Sequence, residues 1–347
     1  MSNIIKRYLV IGPAWVGDMV MAQALFISLK QQNPDCIIDV VAPAWSVALL
    51  ARMPEVRNSW TLAAAHGELA LMKRWRLGKQ LRAEQYTHAI TLPRSFKAAL
   101  VPWFARVPQR IGFNSELRWG LLNDRRVLDR QHLNQTVKRF VALGLSRTDA
   151  ATAFMIPQPR LRIDLDNQQL LLQRLNLNSK KPIVAMMPGA EYGPAKQWPL
   201  EYFAELAQQL AVQGYQTWIL GSTKDKPAGQ MIVDLANITS VRNLCGETRL
   251  EDVIDLLASA QVVVSNDSGL MHIAAAVNVP VVAIYGSSSP TFTPPLSHHA
   301  EIMYQGLSCS PCFERHCPLG HYNCLREISA ADVAQRIQKI RAQINTK

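Results

Sequence analysis

The chain has 347 residues, 48% of them apolar and 18% charged, a balance that excludes a disordered or fibrous protein and, at this length, implies two domains of roughly 150 to 180 residues. The opening MSNIIKRYLVIG is too short in its apolar run for a secretory signal, and the most apolar stretch, 273–285, is broken by Asn278 and Pro280 short of the ~20 residues that span a bilayer, so the chain reads as soluble and cytoplasmic. Net charge is +11, carried by one half: residues 1–160 hold 22 Lys and Arg against 10 Asp and Glu (+12), and residues 161–347 hold 15 against 16 (−1). So one-sided a field exceeds what solubility needs and points to an anionic partner of the first half: nucleic acid, phospholipid or a phosphorylated glycolipid.

Along the first half, apolar runs predict strands at Tyr8–Ile11, Ile37–Val41 and Ala89–Leu92, with helices near 18–31, 68–83, 95–106 and 134–143. The turn after the first strand reads Gly12-Pro-Ala-Trp-Val-Gly17-Asp18, with the glycine spacing of a Walker A loop. Asp18 stands where that loop needs Lys, and a carboxylate there repels phosphate. At a helix start the macrodipole favours its anion, which suits a general base at a strand's carboxyl end as well as an ordinary helix cap. The runs LMKRWRL and LPRSFK supply Lys73, Arg74, Arg76, Arg94 and Lys97 as candidate contacts for an anionic acceptor, although each alone reads equally as a solvated charge. Two prolines in Met155-Ile-Pro-Gln-Pro-Arg160 place the linker within 155–168.

The second half alternates strands at Ile183–Met187, Gln216–Leu220, Val262–Ser265 and Val281–Tyr285 with helices near 200–213, 227–237, 249–259 and 268–277. This is the βαβ pattern of a parallel sheet covered on both faces. Met187-Pro-Gly189-Ala-Glu-Tyr-Gly193-Pro-Ala-Lys196-Gln-Trp198-Pro199 links a strand to a helix, and its glycines and Lys196 fit a diphosphate. A flexible loop with a solvated lysine is the alternative, countered by Trp198 and Pro199. Ser265-Asn-Asp267-Ser268-Gly269-Leu-Met-His272 opens another helix. Ser268 and the first helical N–H groups suit phosphate oxygens and Asp267 sugar hydroxyls, while a lone His272 reads as packing. Gly286-Ser287-Ser288-Ser289 is a weaker anion nest.

Near the end, Cys309, Cys312, Cys317 and Cys324 fall within 16 residues. Only the first pair has zinc-ligand spacing, so reduced thiols ordering a loop are the expectation, with zinc as the alternative.

Taken together, GPAWVGD, PGAEYGPAKQWP, SNDSGLMH and CSPCFERHCPLGHYNC resemble the ADP-heptose lipopolysaccharide heptosyltransferases of glycosyltransferase family nine over nearly the whole chain. Within that family, the cysteine-rich segment resembles the member that adds the second heptose of the inner core. The resemblance implies a GT-B fold: α/β, two Rossmann-like doubly wound parallel-sheet domains facing a central cleft. Residues 1–160 would bind the acceptor and residues 161–328 the nucleotide sugar, and a helix over 329–347 would cross back to the first domain. It implies inverting transfer from ADP-heptose without an essential cofactor, with Asp18 as base, Lys196 at the diphosphate, Asp267 at the heptose, and Ser268 and Gly269 at phosphate. The partners would be the nucleotide-sugar donor and the anionic lipopolysaccharide core acceptor at the inner face of the cytoplasmic membrane, where the enzyme would sit peripherally. The heptosyltransferase that adds the first heptose or another core heptosyltransferase, a nucleotide-sugar epimerase and a basic nucleic-acid-binding protein are the rival readings.

Overall fold

Short runs dense in Val, Ile, Leu and Ala cannot leave either face in water, and here they form the inner strands of two parallel sheets. The computed structural model describes residues 5–64, 67–177 and 180–345. The chain divides into two compact units, Met1–Pro159 and Arg160–Lys347.

The first unit runs β1 (Arg7–Ile11), α1 (Val16–Gln32), β2 (Ile37–Ala42), α2 (Val47–Ala51), β3 (Asn58–Thr61), α3 (Leu71–Leu81), β4 (His88–Thr91), α4 (Leu100–Phe104), β5 (Gln109–Phe113), β6 (Asp124–Arg126), α5 (Thr136–Gly144) and α6 (Arg147–Ala150). Its six strands are all parallel in the order β3-β2-β1-β4-β5-β6. Leu9, Val10, Ile38, Val40, Ala89 and Ile90 are sealed from solvent in the middle of that sheet. Helix α1 is apolar almost all round, as a helix covered on every side must be: it lies on the sheet with α5 packed against it.

The second unit runs α7 (Leu165–Arg174), β7 (Ile183–Met187), α8 (Leu200–Val212), β8 (Gln216–Ile219), α9 (Lys226–Ala236), β9 (Val241–Asn243), α10 (Leu250–Leu257), β10 (Val262–Asn266), α11 (Gly269–Ala276), β11 (Val281–Ile284), β12 (Ala300–Met303), α12 (Asn323–Arg326) and α13 (Ala330–Asn345). Its parallel sheet has the order β12-β11-β10-β7-β8-β9. Numbered from its own first strand, this is the topology of the first unit. In each sheet the order reverses once, between β1 and β4 and between β7 and β10. Such a switch point leaves a crevice beyond the strand carboxyl ends, where doubly wound sheets bind ligands.

The sequence pattern found β1, β2, β4, β7, β8, β10 and β11 and passed over β3, β5, β6, β9 and β12. The outermost strands pair on one side only, so their faces need no apolar run: β6 is Asp-Arg-Arg and β9 is Val-Arg-Asn. The last helix has its apolar face on the second unit. Val333, Ile337 and Ile340 of α13 bury against α8 and the β11–β12 end of the sheet.

Helices α3 and α4 meet at Gly78, where an added Cβ would stand 2.4 Å from Phe104 Cβ and 3.0 Å from the Val101 carbonyl oxygen. Gly78→Ala is therefore expected to lower unfolding free energy by about 1–3 kcal/mol through overpacking. An unshifted denaturant midpoint would show that the two helices separate freely.

Candidate active site

In the first unit the loops after β1 and β4 flank the switch point, and a pocket of about 820 Å³ opens there. Asp18 lines it from the first turn of α1, half-buried. The helix starts at Val16 with Trp15 as its N-cap, so Asp18 sits inside the helix and is not the cap. Its carboxylate is placed by the turn Gly12–Trp15, which leaves β1 and ends with Trp15 on the pocket rim.

Three of the five candidate acceptor residues, Arg74, Arg94 and Lys97, line the same pocket. Arg74 is buried on the inner face of α3, where Nε donates to the Leu69 carbonyl at 2.8 Å. Burial lowers its pKa against the opposing pull of Glu68. Lys97 donates to the Glu68 carbonyl at 3.3 Å, and Arg118, wholly buried, holds the Pro93 carbonyl at 2.9 Å and so fixes the loop that carries Arg94. Lys73 and Arg76 stand on the exposed side of α3, outside the pocket lining, and Lys73 pairs with Glu68 at 3.3 Å. The alternation of α3 thus splits the basic run: Arg74 turns inward and its neighbours outward. Sequence reasoning missed Arg139 and Thr136 of α5 and the rim residue Trp45. Arg139 reaches the pocket only because α5 packs on α1, and burial together with the positive charges of Arg94 and Arg130 lowers its pKa.

In the second unit, the loops after β7 and β10 place Lys196 and Asp267 at the switch point, with Lys196 Nζ 2.5 Å from Asp267 Oδ2. Asp267 is buried and Lys196 nearly so. The lysine also lies over the Tyr192 ring, 5.1 Å from its centroid. Asn266, fully buried at the end of β10, joins the two loops: its amide nitrogen donates to the Pro188 carbonyl at 2.7 Å, and its oxygen accepts from the Trp198 backbone N–H at 3.0 Å. Ser268 caps α11 with extended backbone, its hydroxyl 3.3 Å from that of Ser265, and Gly269 begins the helix, so the free N–H groups of α11 lie beside the ion pair. His272, one turn along, is buried, and burial pulls its pKa down to about 4, with Asp267 raising and Lys196 lowering it.

The glycines of the Lys196 loop answer to packing. A Cβ at Gly189 would fall 2.5 Å from an Asp225 carboxylate oxygen, and Gly193 adopts φ +149°, where its Cβ would meet the Arg315 carbonyl at 2.7 Å. The buried hydroxyls of Ser287 and Ser288 have no hydrogen-bond partner among the described residues. Ser287 donates its N–H to Ala195, next to Lys196, at 3.1 Å.

The cysteine-rich loop is built onto this site. Ala195 N–H donates to the Arg315 carbonyl at 3.0 Å, Phe313 N–H to Ser287 at 2.7 Å, the Ser310 hydroxyl to Gly286 at 2.6 Å, and the Tyr192 hydroxyl to Phe313. All four of its thiols are unbridged. Burial and then the neighbouring Cys317, Cys309 and Cys312 push Cys324 up to about 11. Cys317 goes the other way: burial opposes the change, but the N–H groups of Tyr322, Leu319, His321 and Gly320 stabilise its thiolate. Among the described residues no group of three or more His, Cys, Asp or Glu is arranged to hold a metal ion.

Residues 74–323 match the family described as glycosyltransferase family 9 (heptosyltransferase). The chain is 47% identical over 304 residues to lipopolysaccharide heptosyltransferase 2 of Salmonella typhimurium, a match that spans 86% of this chain and 87% of that protein. It is 46% identical over 305 residues to lipooligosaccharide heptosyltransferase 2 of Haemophilus influenzae, spanning 85% and 87%. The fold superposes on the solved E. coli ADP-heptose lps heptosyltransferase II with a TM-score of 0.87 and 42% identity, covering 98% of this chain and 99% of that one.

Two outcomes follow from the geometry of the second unit. Unfolding returns His272 to an ordinary pKa near 6.5, so below that pH the unfolded chain binds a proton that the folded chain refuses. Stability present above pH ~6.5 should fall as pH drops toward about 4, by about 3 kcal/mol in all, and His272→Asn should flatten that limb in urea titrations. Asn266→Ala strands a buried carbonyl and a buried N–H, at about 1–3 kcal/mol each. A loss under 1 kcal/mol in the same titrations would mean that the two loops hold their positions without it.

Proposed function

The chain belongs to glycosyltransferase family 9, the heptosyltransferases, and is a glycosyltransferase of lipopolysaccharide core biosynthesis; we propose that it moves heptose from ADP-L-glycero-D-manno-heptose to the first heptose of the inner core, with inversion. The observation that carries this reading is the Lys196–Asp267 pair beside the α11 N-terminus, at the switch point of a sheet with dinucleotide-binding topology. Lys196 and the α11 N–H groups at Ser268 and Gly269 bind the diphosphate and take up the charge that grows on departing ADP. Asp267 orients Lys196 and offers its second oxygen to a heptose hydroxyl. Ser287 and Ser288, each with an unused donor, complete the set of polar groups available to the donor. The cationic lysine and helix N-terminus supply the positive charge that this chemistry needs, so the reading requires no metal ion.

The first unit supplies the other half of the reaction. Asp18 takes the proton of the acceptor hydroxyl as that oxygen attacks the anomeric carbon. Arg74, Arg94, Lys97 and Arg139 bind the phosphates and acid groups of the core, and the pocket walls between them give the sugar rings apolar contact. No helix of the described residues is long and apolar enough to cross a membrane. The enzyme meets its lipid-anchored acceptor from the cytoplasmic side, as a peripheral protein.

Asp18→Ala is expected to cut kcat by ~10²–10⁴ while ADP-heptose still binds in calorimetry, since a carboxylate makes no favourable contact with diphosphate. Lys196→Gln keeps an N–H for Asp267 but removes the charge, so it should weaken ADP binding and lower kcat together. An Asp18→Ala enzyme with near-normal kcat would make the carboxylate structural. Transfer to a core acceptor that lacks the first heptose would move the assignment to the enzyme that adds it.

A further inference from the structure

The basic run on α3 does two jobs. Its inner face, Arg74, Leu77, Gly78 and Leu81, is buried, and Arg74 lines the pocket that holds Asp18. Beside that face and turning away from it, Leu71, Met72 and Trp75 expose 51, 58 and 39% of their surface, an unusual concentration of bare apolar groups on one short helix. At 100° per residue these three fall within one sector about 100° wide. Lys79 lies within it, Arg76 about 40° past its edge and Lys73 about 100° past it, and Lys79 Nζ sits 5.1 Å over the Trp75 ring. The helix contains no acidic residue. Exposed Leu69 precedes it, and the helix packed on its inner face carries an exposed tryptophan, Trp103.

We propose that the outer face of α3 is a membrane-docking surface, which seats Leu71, Met72 and Trp75 in the headgroup region of an anionic bilayer while Lys73, Arg76 and Lys79 contact lipid phosphates. Three features select a lipid surface over another occupant. The apolar groups are large and include a tryptophan, the side chain that settles at a membrane interface. The cations have long stems, which let a charge reach lipid phosphates while apolar neighbours sit lower in the headgroup region. The unit that carries the helix has a charge of +11, complementary to an anionic leaflet. The proposal rests on the reading that the acceptor is lipid-anchored. It adds how that acceptor is reached: Arg74 on one side of α3 faces the pocket while the other side lies on the bilayer, so the pocket is held next to the surface from which the sugar chain projects.

The test separates the bilayer from the glycolipid by using vesicles that contain no acceptor. Full-length protein is sedimented with vesicles of phosphatidylethanolamine and phosphatidylglycerol, and with neutral phosphatidylcholine vesicles, at low and high salt. Binding is expected on the anionic vesicles only and should weaken as salt screens the phosphates. Replacing Lys73, Arg76 and Lys79 with Gln should reduce partitioning roughly fivefold per charge, about a hundredfold in all. Leu71→Ser with Met72→Ser and Trp75→Ser should abolish the part of the binding that resists salt. Both variants should keep kcat and KM on a deacylated, water-soluble acceptor, which also shows that they fold, and lose rate on the membrane-embedded acceptor. Equal vesicle binding by variants and wild type, no binding by wild type, or equal binding to neutral vesicles would each overturn the docking face. Wild-type protein that binds anionic vesicles but transfers nothing to the soluble acceptor would sink the proposed reaction and leave the docking face standing.

Discussion

The side-chain amide of Asn266 is the contact on which the second unit's site depends. A parallel sheet delivers loops to one edge but does not fix how they lie, and the nine residues from Pro188 to Lys196 must be tied at both ends to β10. Asn266 answers this with one group. Its donor meets the carbonyl where the β7 loop begins, and its acceptor meets the N–H of Trp198 where that loop ends. Trp198 is itself anchored, fully buried with its indole N–H on the Ile328 carbonyl at 2.8 Å. Both ends of the loop are therefore pinned to β10, whose next residue is Asp267. The 2.5 Å approach of Lys196 to Asp267 follows from that pinning. Only an amide can satisfy both contacts, because a carboxylate lacks the donor and a hydroxyl lacks the reach.

The same topology occurs in both units, yet the two sites differ in kind. In the second unit, polar backbone at a helix N-terminus and one buried ion pair dominate, an arrangement that suits a small, highly charged ligand. In the first, cations stand around an apolar pocket with tryptophans at its rim, which suits a larger ligand of mixed character. The topology decides where each site is, and the residues on the loops decide what it takes. The cysteine-rich loop shows this locally. Its backbone is spent on holding Ala195, Gly286 and Ser287 in place, so it acts on the Lys196 loop as scaffold through carbonyls and N–H groups that carry no sequence signature.

This also explains how much is legible in the sequence. The inner strands other than β5 announce themselves because they are covered on both faces, and Asp18, Lys196, Asp267 and Ser268 can be picked out because they follow closely on such strands. Arg139 cannot: it is one arginine on an ordinary amphipathic helix, and its place in the pocket comes from α5 packing on α1, a contact between residues more than a hundred positions apart. The pairing of Lys196 with Asp267 is equally hidden, since the sequence suggests a ligand for each and gives no hint that they satisfy each other. In the sequence the glycines of the Lys196 loop read as room for phosphate, whereas Gly189 makes room for the Asp225 carboxylate and Gly193 for the Arg315 backbone.

The run LMKRWRL shows best why charge counts alone mislead. Taken as composition it is three cations in four residues, and all three invite one role. Helical geometry forbids that, because Arg74 points about 100° away from Lys73 and about 160° away from Arg76. Once α3 is packed through Leu77, Gly78 and Leu81, Arg74 must turn toward the sheet and Lys73 and Arg76 must turn away. The inward arginine gives up water for a carbonyl and a lowered pKa, a cost that an anionic acceptor in the pocket would offset. The outward pair keeps its hydration and gains only where a charged surface comes to it. The asymmetry of +12 is thus two populations with different physics: a few desolvated cations whose interactions are confined to short range, and a solvated majority whose summed field acts within roughly a Debye length of about 8–10 Å.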